Sequence, residues 1–143
     1  AHKLDQTEKY NGAICLFTVT SYWIDENALR DSLIAIYQAL LPGGWFIVDR
    51  TWRSSLSNTI FENDKVKRSA IVEHLGDDIF QFSEKSIIKS KNKNIKLVDD
   101  SFKIKFWEED IFLDNLLSIG FNLEKDLSKS FHGSGASFYL LRK

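Results

Sequence analysis

The chain has 143 residues, 43% of them hydrophobic and 27% charged, with 19 Lys and Arg nearly balancing 20 Asp and Glu. This composition is ordinary for a globular domain, and a formal net charge of −1 argues against nucleic acid or an anionic membrane as a partner. One cysteine excludes an intrachain disulfide, no Cys/His spacing suggests a metal site, and apolar runs too short to cross a bilayer predict a cytoplasmic protein.

The first third of the chain predicts a parallel strand–helix–strand unit. The run from Asn11 to Val19 is apolar on both faces, which is typical of a strand covered on both sides. Apolar residues then recur at helical spacing from Glu26 to Leu40, with Asp25 as the helix N-cap. After the break at Pro42, the run from Trp45 to Val48 predicts a second buried strand. We therefore expect a right-handed parallel unit.

The segment 51–106 predicts an antiparallel insert, because its apolar residues alternate with polar ones. We expect about three strands with one solvated face, two of them at 69–75 and 79–88. The lysine-rich tract 89–94 is predicted to be the exposed turn before the last strand.

The remaining residues predict a helix and a closing strand pair. The helix runs from Glu108 to Ile119 and ends at Gly120, which suits a left-handed C-cap. The strands at 121–127 and 137–142 flank the loop 128–136. Because no internal repeat or linker divides the chain, we expect a single domain over 1–143.

Three motifs, in order, resemble those of the class I S-adenosylmethionine-dependent methyltransferases. L-L-P-G-G-W-F-I-V-D at 40–49 is similar to the "L-x-P-G-G" signature before strand five of that family. Y-N-G-A-I at 10–14 resembles the aromatic-Asp entry to strand four, with Asn11 in place of Asp, and L-L-S-I-G-F at 116–121 resembles a late helix ending. The resemblance implies an α/β fold: a partial Rossmann-like sheet, strands four to seven of the family, with an antiparallel β insert.

Within the family, L-F-T-V-T-S-Y at 16–22 and Trp52 look most like enzymes that N-methylate nucleotide-linked amino sugars. The resemblance implies a small-molecule acceptor, bound beside the insert. It also implies that the cofactor-holding glycine turn and two acidic residues lie upstream of strand four, and Ala1 looks like a cut edge. We therefore expect the C-terminal, substrate-side half of a methyltransferase, which in isolation is inactive and binds S-adenosylmethionine weakly or not at all.

Candidate site residues follow the two parallel strands, where open sheets bind their ligands. Tyr22 would orient the acceptor, with packing beneath the insert as the alternative. Phe17 and Thr18 would flank the cofactor by the family resemblance, with a place in the core as the alternative for Phe17.

Further candidates lie beyond the second strand and on the insert. Trp52 would stack on a ring of the substrate, and Arg50 or Arg53 would hold a phosphate or carboxylate group. His132, in a glycine-rich loop, would act as a base, and His74 would contact the substrate from the insert, although packing there is the alternative.

Two classes of function remain open: a small-molecule methyltransferase, and a non-catalytic binding or dimerisation module that lacks the cofactor half. The coding sequence upstream of Ala1 would distinguish them, because only the first predicts a strand that ends in a glycine-rich turn there. In the complete family sheet, the strand from Gly12 to Val19 lies beside strand one. Without that neighbour the strand presents bare backbone donors and acceptors. We therefore predict a homodimer that buries at least ~1,000 Å².

Overall fold

The computed structural model describes residues 7–88 and 96–143, so the predicted turn at 89–94 lies outside the described residues. The elements in chain order are β1 (Tyr10–Cys15), α1 (Glu26–Ala39), β2 (Leu40–Thr51), β3 (Thr59–Glu62), β4 (Val66–Gly76), β5 (Ile79–Ile88), β6 (Lys96–Lys105), α2 (Glu109–Ile119), β7 (Asn122–Asp126) and β8 (Ala136–Arg142). They divide between two compact units. The core unit comprises residues up to Ser55 together with Lys105–Lys143, and the insert unit comprises Leu56–Ile104.

The core unit contains a four-stranded sheet in the order β1-β2-β8-β7. β1 and β2 are parallel, whereas β8 runs antiparallel to both β2 and β7. Between the parallel strands lies α1, which begins where the Asp25 carboxylate accepts the N–H of Ala28 at 2.8 Å. The predicted parallel strand–helix–strand order is confirmed.

β2 is longer than predicted at both ends. It begins at Leu40, before the Pro42 break, and continues through Thr51. The extension at its carboxyl end occurs because Asp49, Arg50 and Thr51 pair in register with the first residues of β8. Three polar residues are therefore held in a regular strand.

β1 is shorter and more exposed than predicted. It ends at Cys15 instead of Val19, because Phe17 and Thr18 have left-handed backbone angles (φ 63° and 62°) that no strand accommodates. Its side chain Ile14 is 62% exposed, so the expectation of a strand covered on both faces is wrong for the described residues. β1 is an edge strand of this sheet.

One apolar cluster fills the core unit and joins both helices to the sheet. α2 ends at Gly120 (φ 117°), and Phe112 and Leu116 on its predicted apolar stripe are fully buried. The largest buried side chains of the cluster are Leu29, Leu33, Leu40, Phe46, Val48, Phe112, Leu116, Phe121, Tyr139 and Leu141. The closing pair β7 and β8 is also confirmed.

The insert unit is an antiparallel sheet in the order β3-β4-β5-β6, with four strands where about three were expected. The additional strand, β3, has only four residues, all exposed, and so carries no burial pattern. The hairpin between β4 and β5 turns at Asp77 and Asp78, both with positive φ (49° and 58°), as a tight hairpin turn requires. Phe82 and Phe102 stack within the sheet, with ring centroids 5.2 Å apart.

Over the described ranges 7–88 and 96–143, no helix is long and apolar enough to cross a membrane.

Candidate functional site

Buried polar side chains of the core unit concentrate where β1 and β2 end and β8 begins, an edge that we call the carboxyl edge. Buried polar groups are costly unless they are hydrogen-bonded, so their concentration at one place marks a candidate site. The group comprises Thr20, Ser21, Asp49, Arg50, Thr51 and Ser137.

Asp49 links the end of β2 to the segment that follows β1. Its Oδ2 atom accepts the backbone N–H of Thr18 at 3.1 Å, and its carbonyl accepts the Thr20 hydroxyl at 3.1 Å. The side chain is only 3% exposed, and its Oδ1 atom has no hydrogen-bond partner among the described residues. Burial raises the pKa of Asp49, although the backbone amides of Thr18 and Phe17 act in the opposite direction.

Phe17 and Thr18 form a strained turn, which we call the 17–18 turn. Two successive non-glycine residues are left-handed, and each such conformation costs about 1–3 kcal/mol. The Phe17 side chain is 89% exposed, so the alternative that it belongs to the core is wrong. The turn thus presents an aromatic ring to solvent directly after β1.

Hydrogen bonds place Tyr22, Trp52 and His132 along the same carboxyl edge. The Ser21 hydroxyl donates to Thr51 Oγ1 at 3.4 Å. The next residues along the chain, Tyr22 and Trp52, therefore begin at neighbouring positions on this edge. The Trp52 N–H donates to the carbonyl of Gly135 at 2.8 Å, which attaches the loop that carries His132. Tyr22 is 50% and Trp52 38% exposed, and His132 is exposed as well.

The Trp52 indole is held in a fixed orientation. Its Nε1–H donates to Ser137 Oγ, at the start of β8, at 2.8 Å. The ring nitrogen is thus hydrogen-bonded within the chain, while Trp52 remains 38% exposed to solvent. Such an anchored aromatic group suits stacking against a flat ligand.

The two candidate arginines differ in burial. Arg50 is buried, donates to the Trp107 carbonyl at 3.1 Å and forms a 3.3 Å ion pair with Glu109, which also accepts the Tyr139 hydroxyl. Its two terminal nitrogens are thus engaged within the core unit, and its Nε atom is buried without a hydrogen-bond partner among the described residues. Arg53 is exposed, with its guanidinium carbon 4.7 Å from the Phe106 ring centroid, and is the arginine that faces solvent.

His74 lies on β4 of the insert unit, a different unit from the other seven predicted site residues. It is exposed, and its ring packs on Phe80 with centroids 4.8 Å apart. This contact agrees with the packing alternative for His74.

Two residues of the carboxyl edge had no predicted role. Asp49 directly follows the apolar run 45–48, and a carboxylate in that place is itself a signal of a site. Trp107 donates its Nε1–H to the Thr20 carbonyl at 3.2 Å and is 4% exposed. Its position just after the insert offers no local signal for a place beside Thr20. No group of three or more His, Cys, Asp or Glu in the described part of the chain is arranged to hold a metal ion.

Comparison with known proteins identifies the fold. No family model and no curated protein sequence matches the chain. Among solved structures, an S-adenosylmethionine-dependent methyltransferase from Clostridium acetobutylicum superposes on 99% of the chain with a TM-score of 0.86 and 19% sequence identity. The chain covers 61% of that structure. The chain therefore has the fold of part of an S-adenosylmethionine-dependent methyltransferase, as the three motifs predict.

Two further similar structures carry narrower names. CalS10 from Micromonospora echinaspora, an amino pentose methyltransferase, matches 99% of the chain with a TM-score of 0.77 and 13% identity. The sugar N-methyltransferase KedS8 from a Streptoalloteichus species matches 99% with a TM-score of 0.77 and 14% identity. The chain spans 61% and 59% of these two proteins. At such identities the likeness establishes the fold.

Proposed function

We propose that this chain is the C-terminal, substrate-side part of a cytoplasmic S-adenosylmethionine-dependent methyltransferase that acts on a small molecule. The observation that carries the proposal is the match of 99% of the chain to a methyltransferase structure at a TM-score of 0.86. The buried polar group at the carboxyl edge supports it, because ligands of open α/β sheets bind at the carboxyl ends of the strands.

We further propose that the acceptor is an amine on a sugar-like molecule. The names of CalS10 and KedS8, both sugar methyltransferases, support this choice. Trp52 offers an anchored ring for stacking, and Arg53 offers a solvent-facing guanidinium for a phosphate or carboxylate of the acceptor.

The residues of the chain fit one side of the cofactor. The exposed Phe17 ring suits contact with a flat ring or with a positively charged sulfonium group, and Thr18 adds a hydroxyl beside it. The cofactor supplies an electrophilic methyl group. The chain's own task is to orient the acceptor nitrogen and remove its proton, for which we propose Tyr22 and His132 respectively.

The proposal is tested with the longer protein that contains this chain. It is offered amines, amino sugars and hydroxyl compounds, and S-adenosylhomocysteine release is measured. Tyr22→Phe is expected to lower the rate by roughly 10²-fold, since a small misplacement of the acceptor can cost that much. The matched control is Tyr10→Phe, which removes a similarly exposed hydroxyl (42% against 50%) at the start of β1. Failure to release product with every acceptor would refute the proposal.

Cofactor affinity of the 143-residue chain alone provides a second test. We expect weak or absent binding of S-adenosylmethionine by calorimetry, because the chain holds only one side of the proposed cofactor site. Micromolar or tighter binding would contradict this expectation.

Homodimerisation is the second candidate function, favoured by the exposure of β1. Ile14 is 62% exposed on an edge strand, and residues 13–17 contain no charge that would discourage pairing. Ile14→Lys should convert a dimer into a monomer in light scattering. Ile71→Lys, at 61% exposure on β4, is the matched control. A wild-type monomer would refute this candidate.

A further inference from the structure

We infer that Asp49 is a positioning residue: its buried carboxylate holds the 17–18 turn in the left-handed form that presents the Phe17 ring at the carboxyl edge. The inference rests on the proposed function, in which this edge binds the cofactor. It adds a residue, and a physical device, that neither the sequence motifs nor the comparisons assign.

The turn does not hold its own shape. Phe17 and Thr18 are aromatic and β-branched, residue types that favour extended backbone and disfavour positive φ. A chain of this local sequence would continue as a strand through Val19. Something outside the segment must therefore keep the two residues left-handed, and strain that persists in this way is characteristic of functional sites.

Asp49 contacts the turn itself, whereas two other bonds hold the residues that follow it: the Ser21 N–H bond to the Thr18 carbonyl (2.9 Å) and the Trp107 bond to the Thr20 carbonyl. The Oδ2 atom of Asp49 accepts the Thr18 N–H at 3.1 Å, a bond that fixes the peptide between the two left-handed residues. Its main-chain carbonyl accepts the Thr20 hydroxyl at 3.1 Å, which anchors the segment just beyond the turn. Asp49 itself is immobile, because β2 pairs with β8 at this position.

The arrangement is costly in a way that a purely structural contact is not. Asp49 is only 3% exposed, and among the described residues no basic side chain is hydrogen-bonded to its carboxylate and Oδ1 lacks a partner. Burial alone would favour an apolar residue at this point of the strand. Retention of a carboxylate is explained if the turn must stay in one conformation for a ligand to bind.

The experiment measures S-adenosylhomocysteine affinity by calorimetry in the longer protein that contains this chain. Asp49→Ala should weaken binding about tenfold, because the turn then spends only a small fraction of time in the competent form. Asp49→Asn, whose side-chain oxygen still accepts the Thr18 N–H, should restore affinity to within about threefold. The matched control is Asp25→Ala, which removes the cap of α1. It should lower the melting temperature and leave affinity unchanged.

A double-mutant cycle shows whether Asp49 acts through Phe17. Phe17→Ala should weaken binding to a similar extent, and adding Asp49→Ala to it should weaken binding no further. Multiplying effects would overturn the inference, as would Asp49→Ala with wild-type affinity. If Asp49→Ala does not fold, hydrogen exchange of the wild-type protein decides: the Thr18 amide should be protected, and exchange at the rate of an unstructured peptide overturns the inference. If wild-type protein binds no S-adenosylhomocysteine, the proposed function fails instead.

Discussion

The half-buried ion pair between Arg50 and Glu109 allows a quantitative prediction. Glu109→Gln removes the negative charge while keeping the side-chain shape and one oxygen that can accept from Arg50, and leaves a guanidinium whose side chain is 8% exposed with no opposite charge beside it in the described part of the chain. Breaking a fully buried pair costs about 3–5 kcal/mol, whereas surface pairs contribute about 0–1 kcal/mol. Because the Glu109 side chain is 53% exposed, we expect a loss between these limits, about 2 kcal/mol.

This loss is measured by thermal or urea denaturation followed by circular dichroism. For a chain of this size, each kcal/mol lowers the melting temperature by roughly 3–4 °C, so the expected drop is about 6–8 °C. The matched control is Glu108→Gln, an exposed neighbour with no side-chain capping bond, for which we expect a change below about 0.5 kcal/mol.

A second variant distinguishes two causes of the loss: the unpaired buried charge of Arg50, and the lost attraction between Arg50 and Glu109. Adding Arg50→Met to Glu109→Gln removes the guanidinium as well, so the double variant should be less destabilised than the two single effects added together. Additive losses would refute the reasoning, as would a Glu109→Gln melting temperature equal to that of the wild type.

Three other outcomes are expected. Gly12→Ala should cost about 1–3 kcal/mol, since the new Cβ would lie 2.1 Å from the Trp45 ring; an unchanged melting temperature would contradict this. Burial, and secondarily the charge of Asp49, raises the pKa of Cys15 to about 12, so iodoacetamide should alkylate the native thiol far more slowly than the urea-unfolded one; equal rates would disprove it. Because burial raises the folded-state pKa of Asp49 above 3.8, the folded chain keeps the proton of this carboxyl up to a higher pH than the unfolded chain does. Wild-type stability should therefore fall relative to Asp49→Asn as pH rises above about 4, and a pH-independent difference in urea midpoints would count against it.

Local sequence was sufficient for much of the fold. Asp25 and Gly120 mark the ends of helices through bonds within a few residues, and the turn at Asp77 follows from residues that tolerate positive φ. The error at β1 has a different origin. Residues 16–19 favour a strand, and the bond from Thr18 to Asp49, 31 positions later, stabilises the turn instead.

The candidate site was predictable in location and less so in detail. The rule that ligands bind at the carboxyl ends of strands leads to Tyr22 and Trp52 from the strand order alone, and their roles stay predictions. The same rule could not show which of Arg50 and Arg53 is buried. Arg50 pairs with Glu109, which lies 59 positions later in the sequence, beyond the insert. Polar networks of this kind form only once distant segments meet.

The order of strands in the core unit has a consequence for synthesis of the chain. β2 lies between β1, which precedes it, and β8, whose Ser137 comes 85 positions after Trp52. At roughly 5–20 residues per second, a ribosome needs about 4–17 s to make that interval. During this time β4 and β5 can form their hairpin, because its contacts are local. The edge of β2 that pairs with β8 stays unpaired until β8 has been made. A nascent chain halted before Ala136 is therefore the species in which we expect chaperone binding and aggregation to concentrate.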